Sequence, residues 1–252
     1  MMAFGDLNLT LLLFLALASY IQATTGFAFG LIVMASVTAL GLASIETTAF
    51  IISVLSLVNT VTTLKGGLWR QLNKRAFGWI LLGSAPATFA GLWLLDYSSD
   101  GQKGLLQIIL GVSLVGSSLM MMYRVTQLER PSPVTAFAAS GVLAGLMGGL
   151  FSTAGPPISF MMYRQPDSIA AIRATLLCLF SVAAVLRIGA VAAIGSVNES
   201  MIALSVTGAP VVWLGALVAR RFPPPLSNEA LRRIAFGILL FSGVFLTIKG
   251  LV

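Results

Sequence analysis

The chain has 252 residues, of which 58% are hydrophobic and 9% charged, whereas a soluble domain carries roughly 25% charged residues. No water-facing surface can be assembled from that composition, and the formal charge of +7 reads as basic loops that orient a membrane protein rather than as a nucleic-acid surface. With no histidine and a single cysteine, Cys178, the sequence excludes an imidazole acid–base catalyst, a cysteine metal cluster, a paired-cysteine redox motif and an intrachain disulfide.

The first apolar stretch, residues 9 to 42, would measure about 51 Å as one helix, against a hydrocarbon core of about 30 Å. Only Asp6 precedes it as a charge, with no positive n-region and no small-x-small cleavage site, so it reads as retained rather than as a signal peptide. Thr24-Thr25-Gly26 in its middle disfavour helix, which predicts a hairpin folded back or unwound at that point. Ordinary spans follow at 45 to 64, 76 to 95 and 104 to 123, then a polar linker at 124 to 133. The stretch from 134 to 163 is again too long, at about 45 Å, and is broken by Ser152-Thr153-Ala154-Gly155-Pro156-Pro157. Three more spans follow, at 168 to 194, 200 to 219 and 231 to 249. None of these stretches alternates apolar and polar residues, so the spans are helical and not strands of a barrel.

This order suggests a duplication: repeat 1–123 and repeat 134–252 each begin with a broken hairpin and continue through three spans. With an offset of 124, Ser44-Ile45 falls on Ser168-Ile169, Ala85-Pro86 on Ala209-Pro210 and Gly91 on Gly215. Loop charge then sets orientation. Eight single crossings would divide the loop Lys and Arg residues seven to seven, which satisfies no orientation rule. If each hairpin enters and leaves on the same side, twelve lie inside and only Lys103 and Lys249 outside, as the positive-inside rule requires. Each repeat then crosses three times, which turns the second upside down relative to the first. The expected fold is therefore an all-α membrane protein of two inverted repeats with a cytoplasmic linker, a plan common among secondary transporters.

Two passages, QATTGFAFGLIVMASVTALGLASIETTAFIISVLSLVNTVTTLKGG and SGVLAGLMGGLFSTAGPPISFMMY, resemble the sulfite exporter TauE/SafE family of membrane proteins. The resemblance covers essentially the whole chain. The first half departs from it, since Thr24-Thr25-Gly26-Phe27 stands without a counterpart to Pro156-Pro157. The resemblance implies transport of small sulfur oxyanions or organosulfonates, often outward, in a bacterial inner membrane.

The residues themselves point to an anion. A helix restarting after Gly26 or Gly155 would direct unpaired N–H donors and a positive dipole end into a cavity near the midplane. Thr24, Thr25, Ser152 and Thr153 add hydroxyl donors, the glycines let backbone approach a ligand, and Pro156 suits a first helical turn because its missing N–H needs no partner there. The competing reading is that these small residues serve helix packing. Arg187, well inside a span, either pairs with the anion, or snorkels or pairs with a carbonyl near the outer leaflet. Gln22 and Asn59 are candidate cavity donors or interhelical hydrogen-bond partners. Glu46 is the one acid placed to titrate within a span and so to couple transport to protons, with an interfacial cap beside Ser44 as its alternative.

No catalytic residues, cofactor or metal are expected. An intramembrane serine protease would need a base that the spans do not supply, and no phosphate-binding loop for a nucleotide occurs. An anion channel or an uptake permease for another small anion are the alternative readings. The expected partners are a sulfur anion and the lipid bilayer, and a homo-oligomer is compatible with the sequence. The charge count generates the first prediction. Single-cysteine labelling with Cys178 replaced should place positions 73 and 227 on the same, cytoplasmic face, and labelling from opposite faces would contradict the inverted arrangement.

Overall fold

A computed structural model of the chain describes residues 9–65, 67–99, 103–122 and 126–222, together with residues 237, 240, 241, 243–245, 247 and 248. Most of the expected span from 231 to 249 lies outside the described residues, as do Arg124, Arg232, Arg233 and Lys249. All regular structure among the described residues is helical: α1 Leu9–Thr25, α2 Phe29–Ala39, α3 Ile45–Leu64, α4 Lys74–Ser99, α5 Lys103–Met122, α6 Val134–Phe151, α7 Gly155–Tyr163, α8 Ile169–Ala193 and α9 Glu199–Arg221, with a 3-10 turn at Leu68–Gln71. Five of these, α3, α4, α6, α8 and α9, are long and apolar enough to cross a membrane.

Local chemistry sets where the helices begin. Ser44 accepts a hydrogen bond from the Thr47 N–H at 3.2 Å and caps α3, and Ser168 does the same for α8 through the Ala171 N–H at 3.2 Å. Asn198 caps α9 through the Met201 N–H at 2.9 Å. Each supplies an acceptor to an N–H that has no partner within its own helix.

The interruptions sit slightly apart from the residues that disfavour helix. Helix α1 continues through Thr24 and Thr25, and the chain turns at Gly26 and Ala28, both with φ of 85°. In the second half the turn is Ser152–Ala154, and Gly155-Pro156-Pro157 already belong to α7. Proline is compatible with a first helical turn because the N–H it lacks would have no carbonyl to reach. Ser152, with φ of 55°, ends α6 in the left-handed conformation, and its N–H returns to the Gly148 carbonyl at 2.9 Å.

Two tight helix pairs build the bundle. Helices α4 and α6 form the most extensive contact, and glycine makes it so close. A Cβ on Gly141, Gly145 or Gly149 of α6 would collide with the carbonyls of Ile80, Ser84 or Thr88, and one on Gly83 or Gly91 of α4 would collide with those of Ala138 or Leu146. Small residues four apart let two backbones approach where lipid supplies no hydrophobic drive. Helix α1 packs on α9 in a similar role, and a Cβ added to Gly215 would stand 3.0 Å from the Ala16 carbonyl oxygen. Ser19 joins this contact by donating to the Val212 carbonyl at 2.6 Å. Helices α3 and α8 pack together between the two pairs, α3 also touching α9 and α8 touching α4.

The short helix α2 is sequestered rather than lipid-facing, with Phe29 and every residue from Leu31 to Thr38 buried. Around it lies a core that includes Phe27, Phe29, Leu31, Ile52, Leu55 and Phe151. The polar loops collect at one end. Asn73 donates to Asp167 at 2.7 Å, the Leu128 N–H to the Arg164 carbonyl at 2.8 Å, and the Ser132 N–H to Gln165 at 3.0 Å. Arg220 reaches the Thr62 carbonyl at 3.0 Å at the end of α3. The basic segments around 65–75, 126–133, 164–168 and 220–222 therefore share one end of the bundle.

A contrast between two glycines tests the packing. Gly145→Val should destabilise the protein by about 1–3 kcal/mol or more through overpacking. Gly189 has nothing within 4 Å of an added Cβ, so Gly189→Ala should be neutral or stabilising by roughly 0.5–1 kcal/mol. Thermal unfolding in detergent reads both.

Candidate functional site

The two interruptions meet inside the bundle. Gly30, in the first turn of α2, lies so close to the Ser152 carbonyl that an added Cβ would stand 2.5 Å from its oxygen. Ser152 is also held from the other side, since its hydroxyl and that of Ser53 on α3 are 2.9 Å apart. Beside this contact is a cavity of about 50 Å³, walled by both interruptions and by α3, α4 and α8. One water needs roughly 10–15 Å³ by such a measure, so the space suits a small oxyanion headgroup and not a bulky solute.

The first turns of α2 and α7 both contribute to the wall, α2 through Phe29, Gly30 and Leu31 and α7 through Gly155. Their N–H groups have no carbonyl four residues back, and each helix presents its positive end there. Gly155 leaves the space open: a Cβ on it would meet nothing nearer than Phe180 at 3.9 Å and Leu31 and Phe27 at 4.0 Å. Arg187 of α8, only 2% exposed, also lines the cavity. One of its guanidinium nitrogens donates to the Gly148 carbonyl at 2.8 Å and to that of Gly149, near the end of α6. Its Nε is buried without a partner, and so is the Thr153 hydroxyl. Buried polar atoms in a native fold are normally paired, and here two unpaired ones belong to residues that line one cavity. None of the described residues on that wall is acidic.

The residues singled out in the sequence divide between the wall and its supports. Gln22, Ser152, Thr153, Gly155 and Arg187 are on the wall. Gln22 donates to Ser56 at 3.1 Å and Thr60 at 3.3 Å, which orients its amide across α1 and α3. Thr24 and Thr25 are buried, but their hydroxyls turn back onto α1 and donate to the Ile21 carbonyl at 2.9 and 2.7 Å. Gly26 faces α8, where an added Cβ would meet Arg173 at 3.2 Å. Pro156 is buried in the first turn of α7 behind the wall. Asn59 ties helices together, donating to the Ser19 carbonyl at 2.9 Å and hydroxyl at 2.7 Å. Glu46 is exposed in the first turn of α3.

Gly30, Ser53, Ser56, Thr88 and Phe180 also line the cavity and were not singled out from the sequence. Ser53, Ser56 and Thr60 carried a signal, since their spacing of three and four residues places hydroxyls on one face of an otherwise apolar helix. Nothing in the sequence distinguishes Gly30 from the other glycines. Its role depends on Ser152, which is 122 positions away in the chain.

A sequence profile of the family described as "Sulfite exporter TauE/SafE" matches residues 11–246. The "Probable sulfite/organosulfonate exporter TauE" of Cupriavidus necator is 34% identical over 237 residues, which cover 94% of this chain and 92% of that protein. The "Probable inner membrane transporter protein TsaS" of Comamonas testosteroni is 33% identical over 191 residues, 73% of this chain and 77% of its own length.

The open space at Gly155 and the unpaired hydroxyl beside it yield a prediction. Gly155→Ala should fold normally yet weaken anion binding by filling the cavity. Thr153→Val removes one donor to a charged oxygen, worth about 1.5–3 kcal/mol, and should lower affinity roughly tenfold to a hundredfold. Isothermal calorimetry on the detergent-solubilised protein measures both, and unchanged affinity in the two variants would place the ligand elsewhere.

Proposed function

Because the chain belongs to the sulfite exporter TauE/SafE family, we propose that it carries small sulfur-containing anions, sulfite or organosulfonates, out across the bacterial inner membrane. The observation that carries this reading is the central cavity. Two helix N-termini line one small space together with Arg187 and Thr153, whose Nε and hydroxyl are left unpaired, and none of the described residues on its wall carries a carboxylate. Such a site attracts an oxyanion by dipole, charge and hydrogen bonds together. The names of the two relatives, an exporter of sulfite and organosulfonates and an inner membrane transporter, agree with that chemistry.

In this reading the fold consists of two repeats of opposite orientation, 1–123 and 134–252. Exchanging each helix with its counterpart exchanges the contacts: α1 with α9 for α6 with α4, α3 with α9 for α8 with α4, and α2 with α3 for α7 with α8. The caps Ser44 and Ser168 and the intrahelical prolines Pro86 and Pro210 correspond as well. The basic end of the bundle is cytoplasmic by the positive-inside rule. A central site between inverted halves that rock about it is the arrangement expected of an alternating-access carrier.

Neither an enzyme nor a cofactor is required by this scheme. With a negative interior, each negative charge leaving the cell gains about 2.3 kcal/mol per 100 mV, so the potential alone can expel an anion. Glu46, exposed in the first turn of α3 and outside the cavity wall, is given no proton-coupling role in this reading.

Flux in proteoliposomes tests the proposal. Efflux of labelled organosulfonate should saturate with concentration and accelerate under an interior-negative potential. Arg187→Gln should slow it about tenfold or more, whereas Glu46→Gln should leave it intact. Flux that never saturates would favour a channel, net inward movement against the potential an uptake permease, and loss of transport in Glu46→Gln a proton-coupled carrier.

A further inference from the structure

Thr153 and Arg187 are not the only residues with a buried polar side-chain atom left unpaired. Among the described residues the others are the Ser159 hydroxyl and the Arg173 Nε, so all four atoms belong to α7, α8 or the turn that leads into α7. An arbitrary scatter would not fall on one pair of helices. Gly155, Ser159 and Tyr163 follow one another at intervals of four on α7, and Arg187, Phe180 and Arg173 at intervals of seven on α8. Each series therefore keeps to one helix face. Both series begin at the cavity, where Gly155, Phe180 and Arg187 are on the wall.

Their far ends converge on the first interruption. The Tyr163 hydroxyl donates to the Thr25 carbonyl at 2.7 Å, and its ring stands edge-on to Phe27 with centroids 6.0 Å apart. Arg173 donates to the Ala23 carbonyl, and its stem packs against Gly26. Since α7 ends and α8 begins at the basic end of the bundle, this line of residues runs from the cavity toward that end. It is closed in the structure: Ser159 is fully buried and Phe27 is 1% exposed.

We propose that the seam between α7, α8 and the first interruption is the anion's path between the central cavity and the basic, cytoplasmic end, with Arg173 as a second anion station and Phe27 and Phe180 as the closure between the two. The inference rests on the carrier reading. A sulfonate or sulfite passing along the seam would meet the Arg173 Nε, then the Ser159 hydroxyl, then the Thr153 hydroxyl and the Arg187 Nε, each a donor that the closed protein leaves unpaired. Spacing of the two arginines by 14 residues corresponds to about 21 Å along α8. One small anion therefore cannot bridge them and must be handed on.

Substituting Arg173 separates this role from simple capping. Glutamine retains an amide N–H₂ that can serve the Ala23 carbonyl but loses the charge. Arg173→Gln should hold calorimetric affinity for methanesulfonate within about threefold of the unaltered protein while lowering the maximal flux in proteoliposomes about tenfold. Arg173→Lys should restore most of the flux. In a Cys178→Ser background, Ser159→Cys should react with the anionic reagent methanethiosulfonate ethylsulfonate added on the cytoplasmic side, and methanesulfonate should slow that reaction. Full flux in Arg173→Gln, or an unreactive Ser159→Cys in protein that still transports, overturns the path. Absence of sulfonate flux in the unaltered protein would instead overturn the carrier reading beneath it.

Discussion

Backbone carbonyls exposed where a helix stops inside an apolar bundle are the constraint on which this structure depends. No water is at hand at that depth, and an unsatisfied peptide group costs several kcal/mol. Both long apolar stretches stop partway, so the fold must supply donors at two internal points. Helix α8 supplies them: Arg173 donates to the Ala23 carbonyl near the end of α1, and Arg187 to those of Gly148 and Gly149 near the end of α6. A single helix thereby reaches both interruptions, joined at the first by the Tyr163 hydroxyl of α7, which accounts for the two cations α8 bears within a 25-residue span.

Close approach is the second requirement. The interruptions can share one cavity only if the helices that carry them come within backbone distance of their neighbours. Glycine permits this along α6 against α4, and at Gly30 against the Ser152 carbonyl. Tight packing on the outside of α6 and the Ser53–Ser152 hydrogen bond on its inside fix the second turn between two surfaces. The cavity survives beside it because Gly155 contributes no side chain and because prolines in the first turn of α7 ask for no hydrogen bond.

The same groups that satisfy the fold also shape the proposed site. Arg187, on the cavity wall, answers the negative end of α6 with one nitrogen and leaves its Nε unpaired. Its charge is thus balanced in part by carbonyl dipoles, with no acidic residue among the described residues of the cavity wall, which favours an anion there without the cost of an isolated buried ion. Thr25 shows the opposite outcome: its hydroxyl is bonded to the Ile21 carbonyl of its own helix, so it stabilises the first turn instead of facing the ligand.

Helical class, membrane residence and the existence of two interruptions were legible in the sequence, because composition, run length and helix-breaking residues are local properties. The anionic character of the ligand was legible for the same reason, from hydroxyls and glycines clustered at the turns and from a lone arginine within a span. Only the tertiary structure decided which of those groups face one space. Gln22, Ser152, Thr153, Gly155 and Arg187 share a wall, while Thr24, Thr25 and Gly26 are turned toward α1 and Arg173 and Asn59 toward Ser19. The direction of a side chain follows from where its helix stops and what packs against it. Those depend on contacts between residues far apart in the chain, such as Gly30 with Ser152, which no local pattern encodes.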